Sequence, residues 1–195
     1  MKSIVQMILV LSILCGTAGF CLSYLKMTTA SRIESQALTF VQGPAILDVF
    51  KDADNSPIND RRAFTLKDGR TVNVFPSMKK GKLVGVAVEQ FGSGYGGDLG
   101  VVVGFNVQND TLAGIGITTM KETAGVGTRV KEPAFLKQFP GKSLPVKLRS
   151  QGGDIDAVSG ATVSSNGVMG AVDSAVAVYQ ELKPLLLHDN LKHLL

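Results

Sequence analysis

The hydrophobic pattern opens with an unbroken apolar run, Ile4 to Leu25, that contains no charged residue. As an α-helix rising about 1.5 Å per residue, this run would span about 33 Å, which is the thickness of a bilayer core. The alternative is a cleaved secretory signal, but its apolar core is usually only about 7–15 residues long. The greater length of the run, with Tyr24 and Lys26 as interface anchors, favours an uncleaved membrane anchor over residues 1–26.

The next part of the pattern has no clear period and is predicted to join the anchor to a folded domain. A helical stalk is expected from Thr28 onward, ending near Gly43 and Pro44, and the polar loop KDADNSPINDRR follows. Residues 27–60 are therefore predicted to form a linker with helical character. Residues 61–187 are predicted to form one domain.

From Thr71 onward, apolar residues alternate with small or polar residues, which is the period of half-buried β-strands. The alternating positions form four predicted strands: Val72 and Val74; Val84, Val86 and Val88; Val101, Val103 and Phe105; and Ile115 and Ile117. The short connections MKKGK and QNDT predict two antiparallel hairpins, which pair the first strand with the second and the third with the fourth. The loop between the hairpins, FGSGYGGDLG, has five glycines in ten positions and predicts a bend.

After the fourth strand the pattern becomes helical. A short helix is predicted to begin at Pro133, and a last helix is predicted to begin near Ser164 or Ser165 and to stop at Pro184. The apolar face of the short helix consists of Phe135, Leu136 and Phe139. Residues 188–195 are predicted to form a C-terminal tail. The predicted fold class is α+β, with an N-terminal transmembrane helix followed by one antiparallel sheet packed by helices.

Composition narrows the class of function. The net charge is +4, and Lys and Arg are interleaved with Asp and Glu, without the basic tract and aromatics that nucleic-acid binding requires, so no nucleic-acid partner is expected. Both cysteines, Cys15 and Cys21, lie in the apolar run, so the domain is predicted to have no disulfide and no cysteine metal site. His188 and His193 are five residues apart, whereas helical metal pairs use spacings of three or four, so no metal is predicted.

Hydroxyl groups concentrate just before the last predicted helix, in the stretch SGATVSS. Ser164 or Ser165 is expected to cap the helix, because a short side-chain oxygen can accept from the free N–H groups of the first turn. Capping leaves the Thr162 hydroxyl without a role, and Gly160 and Ala161 leave almost no bulk around it. A phosphate would suit this position, because the N–H groups and the helix dipole both favour an anion. The residues alone leave open whether the stretch is a capped turn or a phosphate site.

A second glycine-rich segment, KETAGVGTRV, follows the fourth predicted strand. Gly125 and Gly127 would let the backbone approach a flat ligand closely. Glu122 and Thr123 supply polar groups there, and Arg129 supplies a nearby cation. The alternative is an ordinary strand-to-helix turn. A nucleotide-triphosphate loop is excluded because the full G-x-x-x-x-G-K-[ST] pattern does not occur, and GSGYGG opens no predicted helix, as a dinucleotide fingerprint would.

Together, the motifs DAVSGAT and KETAGVG resemble those of the RnfG/NqrC family of membrane-anchored flavoproteins, and the chain length favours the RnfG branch. The resemblance covers nearly the whole chain, including the N-terminal span, the GYGG bend, an E-T-P-G-L-G-like turn, the segment KQFPG and a D-x-x-[ST]-G-A-T motif. It implies an FMN-binding domain in which a flavin transferase attaches FMN covalently to the last threonine of the motif, through a phosphoester bond.

The resemblance also assigns residues of this sequence. It implies that Thr162 carries the FMN, that Asp156 and Ser159 serve recognition and support, and that Gly160 and Ala161 provide clearance. The residues implied to lie against the flavin are Glu122, Thr123, Gly125 and Gly127. The turn departs from the usual family pattern at Ala124 and Val126. Both departures are small apolar changes, so the expected role of the turn is kept.

The function implied by the resemblance is electron transfer. FMN would pass electrons between redox centres of an ion-translocating membrane complex that links ferredoxin to NAD, and no independent catalysis by a side chain is expected. The implied partners are the other subunits of the membrane redox complex, the flavin transferase and the membrane, with the FMN domain on the extracytoplasmic side of the cytoplasmic membrane. The alternatives are an NqrC-like subunit of a Na⁺-translocating quinone reductase, another extracytoplasmic FMN-binding domain, and a membrane-tethered binding module without redox function.

Overall fold

The computed structural model describes residues 2–51 and 53–188, and the chain divides into two compact units, residues 1–38 and residues 39–195. The first unit contains helix α1, Lys2–Gln36. The stretch Lys2–Ala30 of this helix has a mean hydropathy of 2.2, and none of its most apolar part is buried. The helix is thus long enough and apolar enough to cross a membrane. A short π-helix, Ala37–Gln42, follows it in the sequence.

The second unit is built on one antiparallel sheet whose five strands lie side by side in chain order. The strands are β1 (Arg62–Thr65), β2 (Thr71–Lys79), β3 (Lys82–Ser93), β4 (Asp98–Asn106) and β5 (Thr111–Thr119). Both predicted hairpins, β2 with β3 and β4 with β5, are confirmed. The predicted bend joins β3 to β4 as a third antiparallel connection.

The two faces of the sheet are covered by different helices. One face packs against α4, Thr162–His188, and together they form the main hydrophobic core. Successive residues of a strand point to opposite faces, so Gly116, between the core residues Ile115 and Ile117, faces away from α4. On that side the sheet contacts α2, Gly43–Val49, through β4 and β5. Helix α2 lies inside the predicted linker, so packing against the sheet begins well before residue 61.

Two predicted boundaries of α4 are wrong. The helix begins at Thr162, before the predicted start near Ser164 or Ser165. It also continues through Pro184 to His188, because Pro184 is exposed while Leu182 and Leu186 on either side of it are buried in the core. The short helix α3, Pro133–Leu136, begins at Pro133 as predicted. Residues 189–195 of the predicted tail, with His193, lie outside the described residues.

The C-terminal half of α4 is fixed to the β4–β5 hairpin by Tyr179. Its ring stacks on Phe105 with centroids 4.4 Å apart, and its hydroxyl donates to Asp110 Oδ1 over 2.9 Å. Lys183 Nζ donates to the other carboxylate oxygen of Asp110 over 2.6 Å. The hydrogen bond from Lys183, and to a smaller degree that from Tyr179, holds the pKa of Asp110 below its usual value. Burial, together with the hydrogen bond to Asp110, raises the pKa of Tyr179.

Candidate cofactor-binding site

A cavity of about 380 Å³ lies where the first turn of α4 meets two glycine-rich loops. The loops are the bend between β3 and β4 and the turn that follows β5. The cavity lining includes most of the residues that the sequence singled out, namely Glu122, Thr123, Gly127, Gly160, Ala161 and Thr162. Two motifs that are far apart in the sequence therefore form one site.

The SGAT segment forms a tight turn that leads directly into α4. The Ala161 N–H donates to the Val158 carbonyl over 2.9 Å, and Gly160 has a φ of +81°, as required at the third position of a type II turn. The position of a Cβ on Gly160 would have no heavy atom within 4 Å. The turn thus presents Thr162 next to open space, and the glycine is explained by its left-handed backbone rather than by crowding.

Among the hydroxyls at the start of α4, exposure separates Thr162 from the two serines. Thr162 is exposed, whereas Ser164 and Ser165 are only 2% and 0% exposed. Ser165 Oγ accepts from the Val158 N–H over 3.0 Å, and Ser164 Oγ donates to a Glu122 carboxylate oxygen over 2.8 Å. The prediction that either serine caps the helix is therefore wrong, because both lie inside the first turn and bond to neighbouring loops.

Glu122 connects both loops to α4. One carboxylate oxygen accepts from the Ser164 hydroxyl, and the other accepts from the Gly96 N–H over 3.2 Å. Gly127 makes this arrangement possible, because a Cβ there would lie 2.2 Å from Glu122 Oε2 and 2.9 Å from Ser164 Oγ. A single side chain thus sets the spacing between the glycine-rich bend and the first turn of α4.

The turn after β5 is held by its own hydrogen bonds. The Val126 N–H donates to the Thr123 carbonyl over 3.2 Å, and the Gly125 N–H donates to Thr128 Oγ1 over 2.9 Å. Gly125 has a φ of +76° and is exposed, so it shapes the turn and does not line the cavity. Arg129, just beyond the turn, donates to the Ser159 carbonyl over 3.1 Å and so joins this segment to the SGAT loop.

Asp156, the first residue of the D-x-x-[ST]-G-A-T motif, also lies outside the cavity lining. Its carboxylate is exposed and pairs with Arg149 Nε over 2.7 Å. Its backbone N–H and carbonyl both bond to the Gln138 side chain, over 2.8 Å and 3.1 Å. The structure therefore presents Asp156 on the surface beside the motif, on backbone fixed by Gln138.

Four residues of the cavity lining were not predicted from the sequence: Tyr95, Val126, Val163 and Ser164. In the sequence, Tyr95 stood out only as part of a bend and Ser164 only as a cap. Tyr95 stands between two glycines in a loop that has no bulk to bury its ring, and this pattern could have indicated a ligand contact. Val163 had none, because an apolar residue one position after Thr162 matches the pattern of any helix.

Several known proteins resemble this chain. The G subunit of the ion-translocating oxidoreductase complex of Cereibacter sphaeroides is 29% identical over 142 residues, which cover 69% of this chain but only 64% of that protein's length. The G subunit of the Na(+)-translocating ferredoxin:NAD(+) oxidoreductase complex of Acetobacterium woodii is 26% identical, over 93% of this chain and 94% of the relative. The crystal structure of Shewanella oneidensis NqrC aligns with a TM-score of 0.53 at 25% identity, over 64% of this chain and 69% of that one.

The family model of the FMN-binding domain matches residues 94–177. This range begins at the glycine-rich bend and includes every segment that lines the cavity. Fold and site therefore define an FMN-binding domain. This match and the relatives above show that the chain is similar to proteins of the RnfG/NqrC family.

Proposed function

We propose that this chain is a membrane-anchored flavoprotein subunit that carries FMN on Thr162 through a phosphoester bond and relays electrons within an ion-translocating oxidoreductase complex. The observation that carries the proposal is the exposed Thr162 at the first turn of α4, in the cavity of an FMN-binding domain. FMN, when bound, supplies the redox chemistry. The chain supplies position and electrostatics.

The described residues suit FMN in size and charge. The cavity volume of about 380 Å³ falls within the range of about 300–1,000 Å³ that is usual for small-molecule sites. The N–H groups of Thr162, Val163 and Ser164 have no acceptor within their own helix, so they are available to a phosphate at this end of α4. The small residues Gly160 and Ala161 leave room for a modifying enzyme to reach the threonine hydroxyl.

The remaining residues implied by the family resemblance are proposed to act in two ways. Glu122, Thr123 and Gly127 would contact the flavin, since they line the same cavity as Thr162. Gly125 would shape the turn that carries them. Asp156 lies before the SGAT turn and Ser159 lies within it, and both are exposed, so a flavin transferase could recognise them.

The proposal extends to membrane and partners. The apolar helix α1 fits a single-pass membrane anchor, and the relatives are named as subunits of ion-translocating complexes. We place the FMN domain on the extracytoplasmic side of the cytoplasmic membrane, with other subunits of the complex as electron donor and acceptor. A covalent bond would retain FMN in that dilute compartment, because it removes the dissociation equilibrium.

The likeness to NqrC favours one second candidate, a subunit of a Na⁺-translocating quinone reductase. Both candidates require the same FMN on Thr162 and differ in the complex that the subunit joins. Purification of the native complex from membranes, followed by identification of its other subunits, separates them.

The proposal is tested with the full chain, produced in a host that has the flavin transferase and in a matched host that lacks it. We expect a yellow protein whose mass is increased by one FMN and whose visible absorbance is bleached by dithionite, only in the first host. A colourless protein of unmodified mass in both hosts would contradict the proposal and would favour the non-redox binding module.

A further inference from the structure

Three exposed apolar side chains surround the cavity, each from a different segment. Tyr95 in the bend is 78% exposed, Val163 in α4 is 51% exposed and Val126 in the turn after β5 is 47% exposed. Single exposed apolar residues are ordinary on protein surfaces, but these three line one concave site. Their grouping is what a ligand with a flat apolar body would require.

The bend that carries Tyr95 is fixed in place. Its ends are joined by the Gly94 N–H donating to the Gly97 carbonyl over 2.9 Å, and the Gly96 N–H donates to Glu122. The same Glu122 carboxylate accepts from Ser164 in the first turn of α4. Tyr95 and the start of α4 are therefore held at a set spacing on opposite sides of one carboxylate.

The cavity lining combines two kinds of surface. The start of α4 at Thr162 offers helix N–H groups that suit an anion, and Tyr95, Val126 and Val163 offer apolar side chains. FMN needs both kinds of surface, because it has a phosphate at one end and a flat ring system at the other. A tyrosine ring can stack on such a ring system or meet it edge-on.

We infer that Tyr95 is a contact residue for the flavin ring system, with Val126 and Val163 as its apolar neighbours. This inference rests on the proposed attachment of FMN at Thr162 and adds Tyr95 and Val163, which lie outside both sequence motifs, and Val126, to which the motif comparison gave no contact. It makes a photophysical prediction. A tyrosine in contact with an excited flavin donates an electron to it and takes the electron back, so emission is quenched without net oxidation. Phenylalanine is much harder to oxidise and does not quench in this way.

The test uses the full chain loaded with FMN in the host that has the flavin transferase. Tyr95→Phe keeps the ring and removes the quencher, Tyr95→Ala removes both, and Tyr24→Phe in α1 is the matched control outside the cavity lining. Intact mass, flavin emission yield and quenching of that emission by iodide are measured for each variant. Because Tyr95 is 78% exposed, neither substitution at this position removes core packing.

We expect every variant to carry one FMN. Emission should rise several-fold in Tyr95→Phe and Tyr95→Ala and stay unchanged in Tyr24→Phe, and only Tyr95→Ala should make the flavin more accessible to iodide. Full FMN loading with the same emission in all variants would overturn the Tyr95 contact and leave the proposed function standing. Absence of FMN from the unmodified chain would overturn the proposed function, and this inference with it.

Discussion

The two halves of α4 are held to the sheet by similar hydrogen bonds in opposite surroundings. At the C-terminal half, Asp110 accepts from Tyr179 and Lys183, next to a ring stack in a closed core. At the N-terminal end, Glu122 accepts from Ser164 and from a backbone N–H beside an open cavity. Both carboxylates bridge α4 to a loop, so hydrogen bonding alone does not distinguish a structural contact from a functional one.

The difference lies in charge compensation and exposure. Asp110 has a cation, Lys183, within 2.6 Å, whereas Glu122 makes no ion pair among the residues that the structure describes. Tyr179 is 1% exposed, whereas Thr162 is open to the cavity. The closed half therefore fixes the helix, and the open end keeps an uncompensated charge and an exposed hydroxyl available to a ligand.

The largest expected effect is on stability, at the closed half. Tyr179→Ala removes a buried ring and should lower the free energy of unfolding by about 3–5 kcal/mol, measured by urea denaturation. Tyr179→Phe keeps the ring and should cost much less, since it loses only the bond to Asp110. FMN loading should survive in whatever fraction folds. Equal losses in the two variants would show that the ring stack is not what fixes this half.

A smaller effect is expected at the open end. Glu122→Gln removes an uncompensated negative charge beside the cavity, which should ease reduction of a bound flavin by about 1–2 kcal/mol and shift its midpoint potential to more positive values. Spectroelectrochemical titration measures this shift. Glu181→Gln, a matched exchange in the C-terminal half of α4, should leave the potential unchanged. Equal potentials in all three proteins would remove the electrostatic distinction between Asp110 and Glu122.

The smallest effect is expected for the Asp110 ion pair, which is partly exposed. Because its folded pKa is lowered, Asp110 stabilises the fold above the unfolded pKa of about 3.9, and this contribution is lost as pH falls through the folded pKa. Asp110→Asn should therefore cost about 1 kcal/mol or less at pH 7 and nothing at strongly acid pH. Thermal melts across this pH range check the sign, and a penalty that persists in acid would contradict it.

The sheet was predictable from the sequence where the alternation was long. Strands β2 to β5 carry repeated inward apolar residues and short turns, which determine strand pairing locally. Strand β1 has only four residues, and its sole half-buried side chain is Phe64. Its pairing with β2 depends on tertiary contacts, so no period in the sequence reveals it.

The ends of α4 were not predictable, for the same reason. A serine inside a first turn looks the same in sequence as a serine before it, and only the bonds of Ser164 and Ser165 to distant or preceding loops decide the start. At the other end, burial of Leu186 outweighs the helix-breaking tendency of Pro184. The candidate site could be predicted from two sequence motifs taken together. Tyr95 and Val163 could be assigned to it only once the folded structure showed that they line the cavity.

The most direct test of the central claim is the mass of the peptide that contains residue 162, compared between the unmodified chain, Thr162→Val and Ser174→Ala, all produced with the flavin transferase. Ser174 is a matched hydroxyl on α4 that bonds to the Gly170 carbonyl, away from the cavity. We predict one added FMN on this peptide in the unmodified chain and in Ser174→Ala, and none in Thr162→Val. FMN that stays covalently bound in Thr162→Val would contradict the claim.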